Sequence, residues 1–386
     1  MVGVPVSVDR VIHSARLVDE GQITDDAWVA IRDGRVAGCG TGDGWRDLAP
    51  HEADDAAGGW LTPGFVDIHG HGGGGAAFDD GPAAIATARA VHRAHGTTRA
   101  VISLVTASIA AMAERAAMVA RLTAEDSTIL GSHLEGPFLD VGHKGAHTPS
   151  LLRAPDAASL DRLLDAGVGT IRQLTLAPEL AGGMAAIGRL RAAGVAVAIG
   201  HTDADETTAA AAFDAGATIL THAFNTMRGI HHRAPGPVVA ALNDERVTLE
   251  VIADGTHVHP DVIRLLTARA PGRVALITDA MAAAGAADGH YTLGGLTVSV
   301  VGGRARLAGD GAIAGSTLTQ DAAVRLMVQE CGMPLPDAVA AATIVPARAI
   351  GVSDRFGSLR PESAADAVLL DDGLGVRRVW VDGRPV

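Results

Sequence analysis

An eightfold alternation of apolar runs and helical segments predicts an α/β fold: a (β/α)8 TIM barrel with a small β-sandwich domain formed from both termini and a β-hairpin insertion after strand 8. Three observations carry this expectation. Between residues 62 and 350, runs rich in Val, Ile and Leu recur every 20 to 50 residues, separated by Ala/Arg/Glu segments of helical period. The flanks read instead as short strands joined by turns such as Asp33-Gly34. A third β-like piece, YTLGGLTVSVVGGRARL (291 to 307), separates the last apolar run from a helix near 318 to 331.

Taken in order, residues 6 to 40 supply the N-terminal strands. The barrel runs follow as FVDIH (65 to 69), TRAVISL (98 to 104), TILGSHLE (128 to 135), TIRQLTLAPE (170 to 179), VAVAIGH (195 to 201), ATILTHAFN (217 to 225), TLEVIADG (248 to 255) and VALITDA (274 to 280). ADAVLLDD and VRRVWVDGRPV close the chain with strand patterning. The expected boundaries are 1–61 and 352–386 for the β-domain and 62–351 for the barrel.

Composition narrows the class. With 386 residues and 48% hydrophobic content, a large core is within reach. No apolar run approaches the roughly 18 to 20 residues of a bilayer span, and MVGVPVSVDR lacks the pattern of an export signal, so a cytoplasmic protein without membrane contact is expected. A formal charge of -13 opposes nucleic-acid binding. Cys39 and Cys331 have no CxxC spacing for zinc or redox chemistry. Lysine occurs once, at Lys144, yet there are sixteen histidines.

Many of the reactive residues fall at the C-terminal ends of the apolar runs, where barrel enzymes place their chemistry. They are His69 and His71, Glu135, His201, His222 and Asn225, Asp254 and His257, and Asp279. In HGH, residues i and i+2 of a strand face one way and can share an ion. Imidazole with carboxylate, and no cysteine, suits Zn²⁺ or another borderline divalent cation in a catalytic site. A carboxylate such as Asp279 stays ionised beside a cation and can accept a proton from water. Gly136-Pro137 turns the chain sharply after Glu135, which favours a positioned ligand. The glycines 72 to 75 lack the lysine of a P-loop and the following helix of a dinucleotide fold, and no GxSxG elbow supports an esterase.

The motifs PGFVDIHGHG, SHLEGPFLDVGHKGAHTP, GHTDA, THAFNTM, HHRAPG, DGTHV, TDAM and GAIAGSTLT occur in an order and spacing that resembles the N-acetylglucosamine-6-phosphate deacetylase family of the amidohydrolase superfamily. The likeness covers nearly the whole chain. It implies that Glu135, His201 and His222 are ligands of a shared metal, while His69 and His71 match a position that varies among members and can hold a second ion, Glu135 bridging. Asp279 would be general base and a further ligand, and His147 would polarise the substrate carbonyl. Arg233 would bind the phosphate; Asn225, Thr226 and His257 would contact the sugar phosphate, and Ala146, Ile313, Ala314 and Gly315 would also touch substrate. Thr226 stands where many relatives have alanine.

The implied cofactor is one or two divalent metal ions, Zn²⁺ first, with Fe²⁺, Mn²⁺ or Co²⁺ as alternatives. The implied reaction converts N-acetyl-D-glucosamine 6-phosphate to D-glucosamine 6-phosphate and acetate, in amino-sugar catabolism or cell-wall recycling, by a homodimer. The galactosamine epimer, or relaxed specificity, stays open within that class. Dihydroorotase-type hydrolases bridge metals with a carboxylated lysine, and the sole lysine lies in a loop. A non-catalytic sugar-phosphate-binding protein is the alternative of a different class.

Overall fold

The computed structural model describes residues 7–386, so the first residue of the expected N-terminal β stretch, position 6, lies outside the described residues. Eight parallel strands form one sheet, here β1 (Phe65–Asp67), β2 (Thr97–Val105), β3 (Ile129–Glu135), β4 (Ile171–Leu176), β5 (Ala196–Ile199), β6 (Ile219–Leu220), β7 (Thr248–Ile252) and β8 (Val274–Ile277), each paired with its sequence neighbour. These are the expected runs. Helices cover the outer face because the strands are buried on both sides, as parallel sheets require. Every strand but β2, which extends one residue beyond its run at both ends, is shorter than its apolar run, with consequences for the site.

No strand ladder joins β8 to β1. The gap is bridged by other bonds: Thr278 Oγ1 donates to Asp67 Oδ2 at 2.6 Å, the Asp279 amide donates to the His69 carbonyl at 2.8 Å, and the His71 amide donates to the Ala280 carbonyl at 2.7 Å. The barrel therefore closes through the residues that flank His69 and Asp279.

The termini form a second eight-stranded sheet. Strands Arg10–Asp19, Gln22–Arg32 and Arg35–Thr41 run antiparallel; Glu52–Asp55 and Trp60–Pro63 pair parallel to the first of these, and Trp60–Pro63 joins them to Ala367–Leu370, Val376–Val381 and Arg384–Pro385. Ile12, Val29, Leu61 and Trp380 share a core of their own between these strands. Arg99, 1% exposed on β2, anchors this sheet to the barrel through both Asp366 oxygens (2.5 and 2.8 Å) and Asp382 (2.6 Å). Removing one partner of so buried a pair costs about 3–5 kcal/mol.

The insertion is a three-stranded antiparallel sheet, Gly289–Leu293, Leu296–Val301 and Arg304–Leu307, one strand more than the expected hairpin. Its turns are Gly294-Gly295 and Gly302-Gly303, all at positive φ, as tight hairpin turns demand. The helix that follows is Gln320–Gln329. Among the described residues, no helix is long and apolar enough to cross a membrane.

Candidate metal centre

Three of the expected ligands sit just past their strands in left-handed backbone: His201 (φ 47°), His222 (φ 26°) and Asp279 (φ 45°). Such conformations cost of order 1–3 kcal/mol each in a non-glycine residue and persist only where the surroundings enforce them. Here they turn each side chain inward over the barrel mouth. His69 and His71 also lie beyond β1, so the alternation of a strand does not pair them. The His69 carbonyl and the His71 amide, both tied to the chain after β8, bring the two rings together. The glycines that follow form a small hairpin, Gly72–Gly73 against Ala76–Ala77; a side chain at Gly72 would meet the Ala76 carbonyl oxygen at 2.5 Å.

Glu135 is the hub. Its Oε1 lies 3.3 Å from His69 Nε2, 3.1 Å from His201 Nε2 and 3.3 Å from His222 Nε2. Its Oε2 lies 3.1 Å from His71 Nε2 and 3.5 Å from His147 Nε2. Asp279 Oδ1 faces His71 Nε2 at 3.3 Å and His69 Nε2 at 3.7 Å. Two clusters able to hold an ion adjoin here, His69 with His71 and Asp279, and Glu135 with His147 and His201. His222 is as close to Glu135 as His147 is, so position alone admits either histidine as a ligand. His201 Nε2 and His222 Nε2 face each other at 3.0 Å. Two ring nitrogens at that separation share at most one proton, so a lone pair points into the cluster. Nitrogen and oxygen donors without sulfur, converging in a buried space, fit zinc or a similar divalent cation.

The electrostatics agree. Burial pushes the Glu135 carboxyl up, but the charge of His69 and hydrogen bonds from His147, His201 and His222 outweigh it and hold the group well below its ordinary range. Burial likewise opposes Asp279, yet the bond from His71 and the charges of both histidines hold it at about 2. Burial lowers His71, and Asp279 and Glu135 more than reverse it, to about 9. His69 rises well above its ordinary value against its burial, through Glu135 and Glu250. Burial depresses His147 to about 4 and also lowers His222. In the protein alone, two carboxylates are thus balanced by protons on His69 and His71, which a cation would displace.

Above the cluster opens a cavity of about 250 Å³. Its floor is His71, Glu135, His201, His222 and Asp279; one wall is Gly145, Ala146 and His147, and the other sides include Asn225, Thr226, His257, Ile313 and Gly315. His69 lies beneath the floor, fully buried, and Ala314 is buried behind its two neighbours. Gly145 passes so close to the His201 ring that a Cβ would sit 3.1 Å from Cε1. His257 Nδ1 bonds Asp254 Oδ2 at 2.7 Å; burial lowers this imidazole, but Asp254 raises it overall. Arg233 does not line the cavity and is exposed.

Sequence reasoning missed several participants. Val105, Leu293 and Ala312 add apolar wall, Leu293 from the three-stranded insertion. Thr106 Oγ1 stands 2.8 Å from His147 Nδ1 and 3.0 Å from the Glu135 carbonyl oxygen. Glu250 Oε2 stands 3.1 Å from His69 Nδ1. Thr106 directly follows β2, past the expected end of its apolar run at Leu104, and Glu250 lies inside β7 rather than at its end. His133, two residues before Glu135, is not a ligand: its nitrogens meet Ser103 Oγ at 2.9 Å and Thr175 Oγ1 at 2.8 Å.

Residues 60–386 match the model of the amidohydrolase family. An N-acetylgalactosamine-6-phosphate deacetylase from Escherichia coli O157:H7 is 40% identical over 379 residues, 97% of this chain and 98% of that one. An N-acetylglucosamine-6-phosphate deacetylase from Vibrio furnissii is 34% identical over 98% of this chain and 93% of that one. Among solved structures, a mutant N-acetyl-D-glucosamine-6-phosphate deacetylase from Mycobacterium smegmatis, in complex with N-acetyl-D-glucosamine 6-phosphate, superposes with a TM-score of 0.92 at 43% identity, covering 98% of this chain and 99% of that one.

Proposed function

The chain belongs to the amidohydrolase family, and from that premise we propose that it hydrolyses N-acetyl-D-glucosamine 6-phosphate to D-glucosamine 6-phosphate and acetate. The observation that carries the reading is the convergence of five imidazoles on Glu135, two of them also facing Asp279, at the floor of a pocket, in a chain similar along its length to deacetylases of this substrate class.

The family is metal-dependent. Glu135, His201 and His222 would hold one ion, and His69, His71 and Asp279 would offer donors for a second; Zn²⁺ is the ion we assign, with Fe²⁺, Mn²⁺ or Co²⁺ as alternatives. A divalent cation bound there acidifies water and polarises a carbonyl oxygen.

The protein's own groups do the rest. Asp279, ionised at neutral pH, accepts the proton of the attacking water and passes it to the departing amine nitrogen. His147, neutral at that pH, has Nδ1 2.8 Å from the Thr106 hydroxyl; when that hydroxyl turns its one proton from the Glu135 carbonyl to Nδ1, Nε2 keeps the ring proton and donates it to the substrate carbonyl oxygen, a bond that strengthens as charge develops there. Ala146, Ile313, Ala314 and Gly315 present wall and main chain to the sugar. Asn225, Thr226 and His257 bind the sugar phosphate from within the pocket, and Arg233 supplies guanidinium to the phosphate from the rim. The enzyme works in the cytoplasm as a homodimer; exposed Val141 and Ile230, in the two loops that follow Glu135 and Thr226, offer apolar surface for association.

The test is acetate release by purified protein, before and after chelation and after Zn²⁺ is restored. No metal-dependent release would sink the reading, and tight sugar-phosphate binding without release would leave a binding protein. The 40%-identical relative favours a second reading, the galactosamine epimer. Turnover on both phosphorylated sugars, side by side, separates the two.

A further inference from the structure

Glu250 is fully buried on β7, and no Lys or Arg is bonded to it. Its Oε2 accepts from His69 Nδ1 at 3.1 Å and from the His222 amide at 3.3 Å; its Oε1 accepts from Gln173 Nε2, on β4, at 2.7 Å. A buried carboxylate without a charged partner costs several kcal/mol. Here three convergent N–H donors, one of them on the His69 ring, offset that cost.

We propose that Glu250 is the positioning residue of the His69 half of the centre. By accepting from Nδ1 it fixes the tautomer, leaves the Nε2 lone pair facing Glu135 and Asp279, and makes that nitrogen a stronger donor to a divalent cation. The same oxygen holds the His222 amide and so couples the backbone of one ligand to the ring of another. His201 Nδ1 is also fixed, but by the His143 carbonyl at 2.9 Å; the Nδ1 atoms of His71 and His222 have no partner. Of the four histidines, only His69 is oriented by a carboxylate. This assignment rests on the reading above that His69 and His71 hold a second ion.

The test compares ion binding to metal-free wild type, Glu250→Leu and Glu250→Gln, by elemental analysis and by Zn²⁺ titration against a chelator. Leu leaves His69 Nδ1 without an acceptor. Gln can keep its oxygen towards His69 and turn its amide to Gln173, whose Oε1 has no partner. Wild type should bind two ions, Glu250→Leu one, and Glu250→Gln two, the second about 10-fold more weakly, at the low end for an outer carboxylate.

Unchanged affinity for the second ion in Glu250→Gln overturns the proposal, and it decides alone if Glu250→Leu does not fold. Loss of both ions together with a lowered melting temperature of the metal-free protein also overturns it, because the role would then be structural. If wild type binds a single ion and His69→Ala leaves that binding unchanged, the two-ion reading fails and this assignment with it. Two ions in wild type and in both variants at equal affinity sink the role of Glu250 alone.

Discussion

Asp279 Oδ1 lies 3.3 Å from His71 Nε2, a carboxylate that follows the last barrel strand against an imidazole that follows the first. The same segments exchange the backbone bonds that close the barrel. The site and the closure of the fold therefore rest on the same two segments. The left-handed backbone of Asp279 is held by bonds on both sides, its amide to His69 and its carbonyl to the Ser316 amide at 2.8 Å.

Asp279→Asn keeps this shape and removes the proton acceptor. The expected loss in kcat is about 10²- to 10⁴-fold, with KM for the sugar phosphate nearly unchanged. Metal content should be measured alongside, since Asp279 also faces His71. Wild-type kcat in a metal-loaded variant would end the general-base role.

Metal binding should be linked to protons with a definite sign. His71 is raised from 6.5 to about 9, so at pH 7 it carries a proton that an ion must displace, and affinity should climb as pH rises towards 9. The stability of the metal-free protein runs the other way. A raised folded-state pKa contributes stability that is complete below 6.5 and lost as pH rises through about 9. Asp279, depressed from 3.8 to about 2, contributes above 3.8 and loses its share as pH falls towards 2. Calorimetric Zn²⁺ titrations at pH 7 in buffers of different ionisation heat should show net proton release. Identical heats in all of them would contradict this assignment of charge.

Thr106→Val tests the tautomer of His147. The hydroxyl that orients Nδ1 is lost while the side chain keeps its shape, so His147 stays in place without its ring fixed. We expect kcat to fall about 10-fold, within the range for an outer hydrogen-bond partner, at unchanged metal content. Full activity would show that Thr106 serves only the Glu135 carbonyl.

How far the sequence foretold this arrangement depends on what kind of signal each residue left. The barrel strands were legible because burial on two faces writes unbroken apolar runs, and the polar residue ending each run stood out by contrast. Glu250 left no such mark. In TLEVIADG it reads as one polar position inside a strand, and its meaning comes only from His69, 181 positions away, and Gln173, 77 positions away. The left-handed turns at His201, His222 and Asp279 were invisible because no glycine announces them. The third strand of the insertion did leave a trace, since YTLGGLTVSVVGGRARL carries two Gly-Gly turns and a single hairpin needs one.

Arg233 presents the sharpest contrast between motif and geometry. The family resemblance implies that Arg233, in HHRAPG, binds the phosphate, yet its side chain is exposed and outside the cavity, and among the described residues no Arg or Lys lines that cavity. A dianion entering a chain of net charge -13 needs a cation, and the nearby Lys144 is engaged at 3.6 Å by Asp310. If Arg233 binds the phosphate, as proposed, it does so from outside the cavity lining, where water screens it and its contribution to binding is modest. Arg233→Ala should raise KM for the phosphorylated sugar about 10-fold, the size of one charge-assisted hydrogen bond, and leave kcat and the unphosphorylated analogue little changed. The effect should shrink in high salt. Equal losses on both sugars would make Arg233 a structural residue of its loop and leave His257, raised by Asp254, to carry the phosphate.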